Sequence, residues 1–329
     1  MKTRAMVRIV LGATLLLAAC MALTAQAQQA AYPSRAVRMI IPAAPGGNPD
    51  LLARMLSQKL ADAFGKPFIV ENVPGAGGVV AAEMLARAAP DGHTIMLGDS
   101  GALAINIALN SKLGYQPLRD FAPVTALIMV PTVLVLHPTV PANTLQEFIA
   151  LAKAKPGTIN YGSAGGGSVH HLTMAIFAAR SGIEVVHVPY KGGTALVGGV
   201  MAGDVQAGFS GIPNVQQAIR SGRLRVLGIS TARRSASMPD VPTFNELGLA
   251  GFDVATVIGV QAPAGTPRDI IAKLQTVIAR SLREKDIVER TQNLGMEISE
   301  NGTDNYAQFI RDDLERFAAA VKAAGIKAE

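Results

Sequence analysis

The turns Ala44-Pro45-Gly46-Gly47-Asn48-Pro49-Asp50 and Ser163-Ala164-Gly165-Gly166-Gly167-Ser168 carry the residue types best suited to holding a small anion. Each follows an apolar, strand-like run and opens a run with helical spacing. A helix start presents unpaired N–H groups and partial positive charge, and glycine lets a ligand approach that backbone closely. Two such turns facing each other across a cleft would grip a carboxylate without any catalytic group. Asp50 is a helix-start charge that can also order amides facing the site. Ser163 and Ser168 offer hydroxyl donors, or simply cap the helix that follows. His170 and His171 are adjacent and so point in different directions on a helix, which is not a paired metal site. His171 lies one turn after Ser168 and either orients it or packs in the core. Asp99, if it faces the cleft, would pair with an ammonium group and favour an amino acid; the alternative is a cap for the segment beginning Gly101-Ala102. Pro74-Gly75-Ala76-Gly77-Gly78 is glycine-rich too, but reads as a surface turn. Lys191 reads as an exposed loop lysine, because a buried ammonium is costly unless paired.

The competing class is an enzyme, hydrolytic or dehydrogenase-like. Tyr161 occupies the first glycine position of a G-x-S-x-G elbow around Ser163. Gly165-Gly166-Gly167 lacks the full dinucleotide fingerprint with its acid. A Ser168–His171 pair has no evident acid partner. No cofactor is implied.

Both turns need strand–turn–helix units to position them. Residues 37–42 read as a buried strand. Residues 48–64 read as a helix, with Asn48 as N-cap, Pro49 at the first helical position, and Leu51, Leu52, Met55, Leu56 and Leu60 at helical spacing. Strands at 68–71 and 93–97 flank a helix at 79–88. A second set runs as strand 132–136, helix 145–154, strand 159–161 and helix 169–180, then strands 185–188, 205–209 and 224–229 with helices between. A strand at 254–261 and helices at 268–283 and 304–324 complete the chain. This alternation implies βαβ units and parallel sheets. The last segment has helices but little sheet and would return to the first domain. The expected division is 32–128 plus 254–329 as a discontinuous first domain and 129–253 as the second, with crossings near 125–129 and 253–258.

The 329 residues begin with an export signal. Lys2, Arg4 and Arg8 precede an apolar run at 9–19, and Ala25-Gln26-Ala27 offers a cleavage site. Removing 1–27 lowers the formal charge from +6 to +3. That is a mild bias toward anions, and no basic run with interleaved aromatics suggests nucleic acid. Leu17-Ala18-Ala19-Cys20 also resembles a lipoprotein box. Cys20 is the single cysteine, so disulfides, cysteine metal sites and a cysteine nucleophile are excluded from the exported part. With no tryptophan, a sugar site built on stacked rings is disfavoured.

At these residues the chain resembles the Bug-type extracytoplasmic solute receptors, the substrate-binding proteins of tripartite tricarboxylate transporters. Ile41-Pro42-Ala43-Ala44-Pro45-Gly46-Gly47 with Asp50, Val70-Glu71-Asn72-Val73-Pro74-Gly75-Ala76-Gly77-Gly78, and Pro90-Asp91-Gly92-His93-Thr94 are similar to three family signatures in order. Ile159-Asn160-Tyr161-Gly162-Ser163-Ala164-Gly165 with Ser168 and His171, Val188-Pro189-Tyr190-Lys191-Gly192, Val241-Pro242-Thr243 and Ala262-Pro263-Ala264-Gly265-Thr266-Pro267 follow. The resemblance implies an α/β periplasmic binding protein fold: two doubly wound domains joined by two crossover strands, with the ligand cleft between them. It implies a periplasmic, monomeric protein that closes by hinge motion on a small carboxylate (dicarboxylate, tricarboxylate, amino acid or aromatic acid) and presents it to membrane components of a transporter. A chemosensory role on the same fold is the alternative. The implied contacts are Ala43, Ala44, Gly46, Gly47 and Asp50 from the first turn, Gly98, Asp99 and Ser100 after the third strand, and Ser163, Ala164, Gly167, Ser168, His171 and Tyr190 from the second domain. The chain departs from the family at Val257-Ile258, where an aromatic is common, at Asp99, and at Gln206 and Ser210, where many members carry acids.

Overall fold

One strand, β4 (Phe121–Leu136), runs through both halves of the molecule in the computed structural model, which describes residues 32–46, 48–110, 112–299, 302–323 and 325–326. Three parallel strands, β1 (Val37–Ile41), β2 (Phe68–Asn72) and β3 (Thr94–Asp99), form one end of the sheet in the order β2-β1-β3. The late strand β9 (Ala255–Pro263) inserts antiparallel between β3 and β4, pairing with β4 from Phe121↔Pro263 to Pro131↔Ala255. Beyond Pro131, β4 changes partners. It pairs antiparallel with β7 (Ala207–Gly211) and with β8 (Arg225–Ile229), and β7 continues in parallel to β5 (Asn160–Ser163) and β6 (Val186–Pro189). The short β10 (Glu297–Ile298) pairs with β4 at Met129 and Ile128.

The sheet is therefore mixed, not parallel throughout as the strand–helix alternation suggests. The first stretch of β4 is not legible as a strand because it carries Pro123 and Pro131, which lack the ladder donor. The fold places Pro123 at a register shift and Pro131 at the end of the β9 pairing.

Helices cover both faces. α1 (Asn48–Phe64) lays Leu52, Ala53, Leu56 and Leu60, all at most 2% exposed, against β1 and β2. α2 (Val79–Ala86) follows the turn 74–78, and a π-helical turn (Gly101–Ile105) running into α3 (Asn106–Leu109) follows β3. A short α4 (Pro117–Asp120) leads into β4. In the second half come α5 (Leu145–Ala154), α6 (Val169–Ser181), α7 (Gly193–Ala202) and α8 (Ile212–Arg220). The chain ends with α9 (Arg268–Leu282), α10 (Lys285–Asn293) and α11 (Thr303–Ala323). α9 returns to the first half, where Ile271, Leu274 and Ile278 share a core with α1. α11 does not stay there. Tyr306 and Ile310 pack with Ile40, Met96 and Val257, whereas Phe317, Ala320 and Val321 pack with Leu172, Phe177 and Phe252 of the second half. α10 and β10 are additions to the elements read from sequence. The export leader with Cys20, the residue Gly47, and the Asn48 side chain assigned to the N-cap lie outside what the structure describes.

Candidate functional site

The first turn is organised by Asp50, which is 2% exposed. Its Oδ2 accepts from the Gly46 amide at 2.9 Å and from Arg54 Nε at 3.0 Å, and its Oδ1 accepts from Asn72 Nδ2 at 2.9 Å. Asn72 also donates to the Ala43 carbonyl at 3.1 Å, so one carboxylate and one amide fix the path from Ala43 to Gly46. Hydrogen bonds from Arg54, then Gly46 and Asn72, hold the Asp50 carboxyl down at about 2. Gly46, with φ +85, takes a backbone conformation other residues avoid, and Ala44 and Gly46 are exposed. Asp50 thus shapes this turn from behind.

β3 runs two residues beyond the strand read from sequence, to Asp99, and Gly98, Asp99 and the following Ser100 are engaged within the protein. The Gly98 amide donates to Gln261 Oε1 at 3.0 Å. Asp99 Oδ1 accepts from the Ala102 amide at 3.1 Å, which is the cap reading of this residue; burial pushes its carboxyl up, against the amides of Ala102 and Gly101. Ser100, 2% exposed, donates to Asp313 Oδ2 at 2.9 Å and accepts from the Val257 amide at 3.3 Å. It joins the end of β3, the crossover strand β9 and the helix α11 at one point.

The second turn is a compact polar knot at the start of α6. Ser168 is its N-cap: Oγ accepts from the His171 amide at 3.4 Å and donates to the Gly165 carbonyl at 2.8 Å. His171 bonds through its ring, Nδ1 accepting from the Gly167 amide at 3.1 Å. The fully buried Ser163 donates to the Gly165 carbonyl at 2.8 Å. With its single proton given away, Ser163 Oγ accepts from His187 Nε2, 2.6 Å distant. The His187 ring stacks on His171 with centroids 3.7 Å apart. Burial, and secondarily His187, holds His171 down at about 4, and burial lowers His187 as well. Neutral imidazoles therefore present dipoles rather than charge near neutral pH.

Gly167, at φ +72, faces the first half so closely that a β-carbon there would overlap Leu109 Cδ1. A cavity of about 420 Å³ lies at this junction. Gly166, Gly167 and His171 line one side; Ala76, Val79, Asn106 and Leu109 line the other. Of the residues expected at the site, the structure brings Gly167 and His171 to this space, with Ser163 and Ser168 bracing them and Ala164 half-buried in the same turn. Tyr190 is turned away. Its ring packs on Gly162 and Gly199 of α7, and only its backbone amide serves the turn, donating to the Ser163 carbonyl at 2.9 Å.

Two contributors escaped the sequence reading. The turn 74–78 is not merely a surface turn: Ala76 lines the cavity, and the Gly77 carbonyl accepts from Asn106 Nδ2 at 2.9 Å. Its glycine content was the available signal, and Gly78 explains it, since a β-carbon there would press on Pro42 and Ala102 of the neighbouring turns. His187 lies on a strand whose role shows only once β5 and β6 are paired. Among the described residues no group of three or more His, Cys, Asp or Glu could hold a metal, and no helix is long and apolar enough to cross a membrane.

A sheet crossed by two long antiparallel strands, with glycine turns and helix starts meeting at a cavity, defines a solute-binding receptor of the periplasmic type. A family model described as the tripartite tricarboxylate transporter family receptor (TctC) matches residues 52–326. Protein BugT of Bordetella pertussis is 37% identical over 297 residues, covering 90% of this chain and 91% of that protein. The Rhodopseudomonas palustris protein MatC with bound malate is 33% identical, with a TM-score of 0.74 over 88% of this chain and all of that one. A second R. palustris structure, with adipate, is 29% identical with a TM-score of 0.77 over 90% of this chain and 99% of that one. The chain belongs to the TctC family of tripartite tricarboxylate transporter receptors, and its function is periplasmic solute capture for such a transporter.

Proposed function

We propose that this receptor holds a small dicarboxylate between the glycine turns by hinge closure, with no turnover. The observation that carries this reading is the cavity of about 420 Å³ at the start of α6, where Gly166, Gly167 and His171 face Ala76, Val79 and Asn106. A helix start and closely approachable glycine backbone favour a carboxylate, while neutral His171 and the amide of Asn106 supply hydrogen bonds. The ligand-bound relatives, with malate and adipate, support the dicarboxylate class over an aromatic acid. Ala43, Ala44, Gly46 and the neighbouring Gly47 close over the second carboxylate from the first half, and Asp50 fixes that turn. Residues 32–128 and 254–329 move as one body and 129–253 as the other, about the paired strands β4 and β9. The leader 1–27 is removed on export, and the mature chain acts as a monomer.

Gly167→Val tests the site. It adds bulk against Leu109 and places a β-branched residue at positive φ, so affinity for the dicarboxylate that stabilises the wild-type chain should fall by about 10² or more, with the circular dichroism spectrum retained. Unchanged affinity rejects this site. Turnover of an ester or of the dicarboxylate itself by the purified protein rejects the receptor reading.

A further inference from the structure

The cavity on the hinge, about 590 Å³, is separate from the one at the glycine turns. The crossover ribbon forms its floor through Met129 of β4 and Val257 of β9. The segment after β8 forms one wall, with Arg233 and Arg234, and β10 and α11 form the other, with Glu297 and Arg316.

Five charged side chains line this space, and three are engaged by neighbours, Asp253 through its Oδ1, which accepts from the Ala232 amide at 3.0 Å. Arg234 Nε donates to both oxygens of Glu246 at 3.0 Å, and Arg316 pairs with Asp313 at 2.6 Å. Two groups are not. Arg233 is exposed and, among the described residues, its guanidinium has no hydrogen bond or ion pair, whereas Glu297 Oε1 is buried without a hydrogen-bond partner. They stand on opposite halves. Arg233 follows β8, which pairs with β4 at Val133 to Leu136, whereas Glu297 belongs to the returning segment 254–329 and lies on β10, which pairs with β4 at Ile128 and Met129 where the two bodies meet. A buried carboxylate oxygen without a donor carries a desolvation penalty, and a free guanidinium is the side chain best shaped for a carboxylate. The space between them falls within the usual range for small-molecule sites, roughly 300–1,000 Å³. Its floor is apolar, which suits methylenes between two charged ends.

We propose that this hinge cavity is a second ligand site, taking an ω-amino acid whose ammonium meets Glu297 and whose carboxylate meets Arg233. Such a molecule bridges the two halves behind the ribbon. Because its two anchors move with different halves, its affinity depends on the hinge angle, and by linkage its binding changes the affinity of the glycine-turn site.

The test follows the Met129 methyl by NMR in the full chain with isotope-labelled methionine. The probes are β-alanine, γ-aminobutyrate and δ-aminovalerate, with valerate and pentylamine as single-charge controls. At least one amino acid should move the Met129 methyl saturably, while neither control does so at the same concentration. Arg233→Ala and Glu297→Gln should each weaken that binding about tenfold or more, the loss expected for a hydrogen bond between charged groups. Thermal stabilisation by a dicarboxylate should persist in both variants. The Gly167→Val chain, disabled at the glycine turns, should keep the Met129 response, so failure of the dicarboxylate reading and failure of this one are separate results. The proposal is overturned if none of the amino acids moves the methyl, if valerate or pentylamine moves it equally, if both variants bind as the wild type does, or if Gly167→Val abolishes the response.

Discussion

Two buried aspartates respond to pH in opposite senses, and each reports on a different part of the site. Asp50 is held down at about 2 by its bonds to Arg54, Gly46 and Asn72. Its folded value lies below the ordinary one of 3.8, so its stabilisation is complete above that ordinary value and is lost as pH falls through about 2. Asp50→Ala removes these bonds at any pH above that window and should lower the unfolding free energy by about 1–3 kcal/mol, read from urea midpoints at pH 7. Asp313 is pushed up to about 6, mainly by burial and against the pull of Arg316 and Ser100. Here the folded chain holds the proton more tightly than the unfolded one. The stabilisation is full below 3.8 and disappears as pH rises through about 6. Replacement by Asn should therefore remove a loss of about 2 kcal/mol in unfolding free energy between pH 4 and 6.5, measured as the difference between the two urea–pH profiles.

At the scale of elements, the pairing of β9 with α11 is the most exposed to a single change. Gly259 lies under the Tyr306 ring, and a β-carbon there would overlap the Tyr306 ring carbons and hydroxyl. Gly259→Ala should lift the start of α11 off β9 and cost about 1–3 kcal/mol, visible as a lower thermal midpoint. The same elements mark how far sequence reasoning reaches. α1 and α5 are legible residue for residue, because an apolar stripe at helical spacing is a local property. The antiparallel placement of β9 is not, since nothing within residues 255–263 says which strands, about 130 and 160 positions earlier, it will separate. The site divides the same way. The turns around Asp50 and Ser168 are local constructions and were readable. The diversion of Ser100 to Asp313, of Gly98 to Gln261 and of the Tyr190 ring to α7 depends on contacts made only when distant elements meet.

In the whole molecule, α11 is the brace between the halves, packing Tyr306 against one core and Phe317 against the other. Closure about β4 and β9 must therefore carry this helix with it or slide it over one of its two seats. A dicarboxylate at about 100 times its dissociation constant should add roughly 2.7 kcal/mol to stability, a rise of roughly 5–10 °C in thermal midpoint, and small-angle scattering should show a smaller radius of gyration on binding. A thermal rise with an unchanged radius would place the ligand without hinge motion.

The position of β9 also sets an order of assembly. During synthesis β3 is made long before β9, yet β9 is the strand that occupies its open edge. Until residue 263 is available, the β3 edge has no partner from this part of the chain and the N-terminal half cannot complete its sheet. A chain interrupted before that point leaves the β3 edge without its β9 partner, and an unpaired edge is a template for pairing with another chain, so truncation in the middle should favour aggregation over a working half-receptor. The half that is translated first is the half that is finished last.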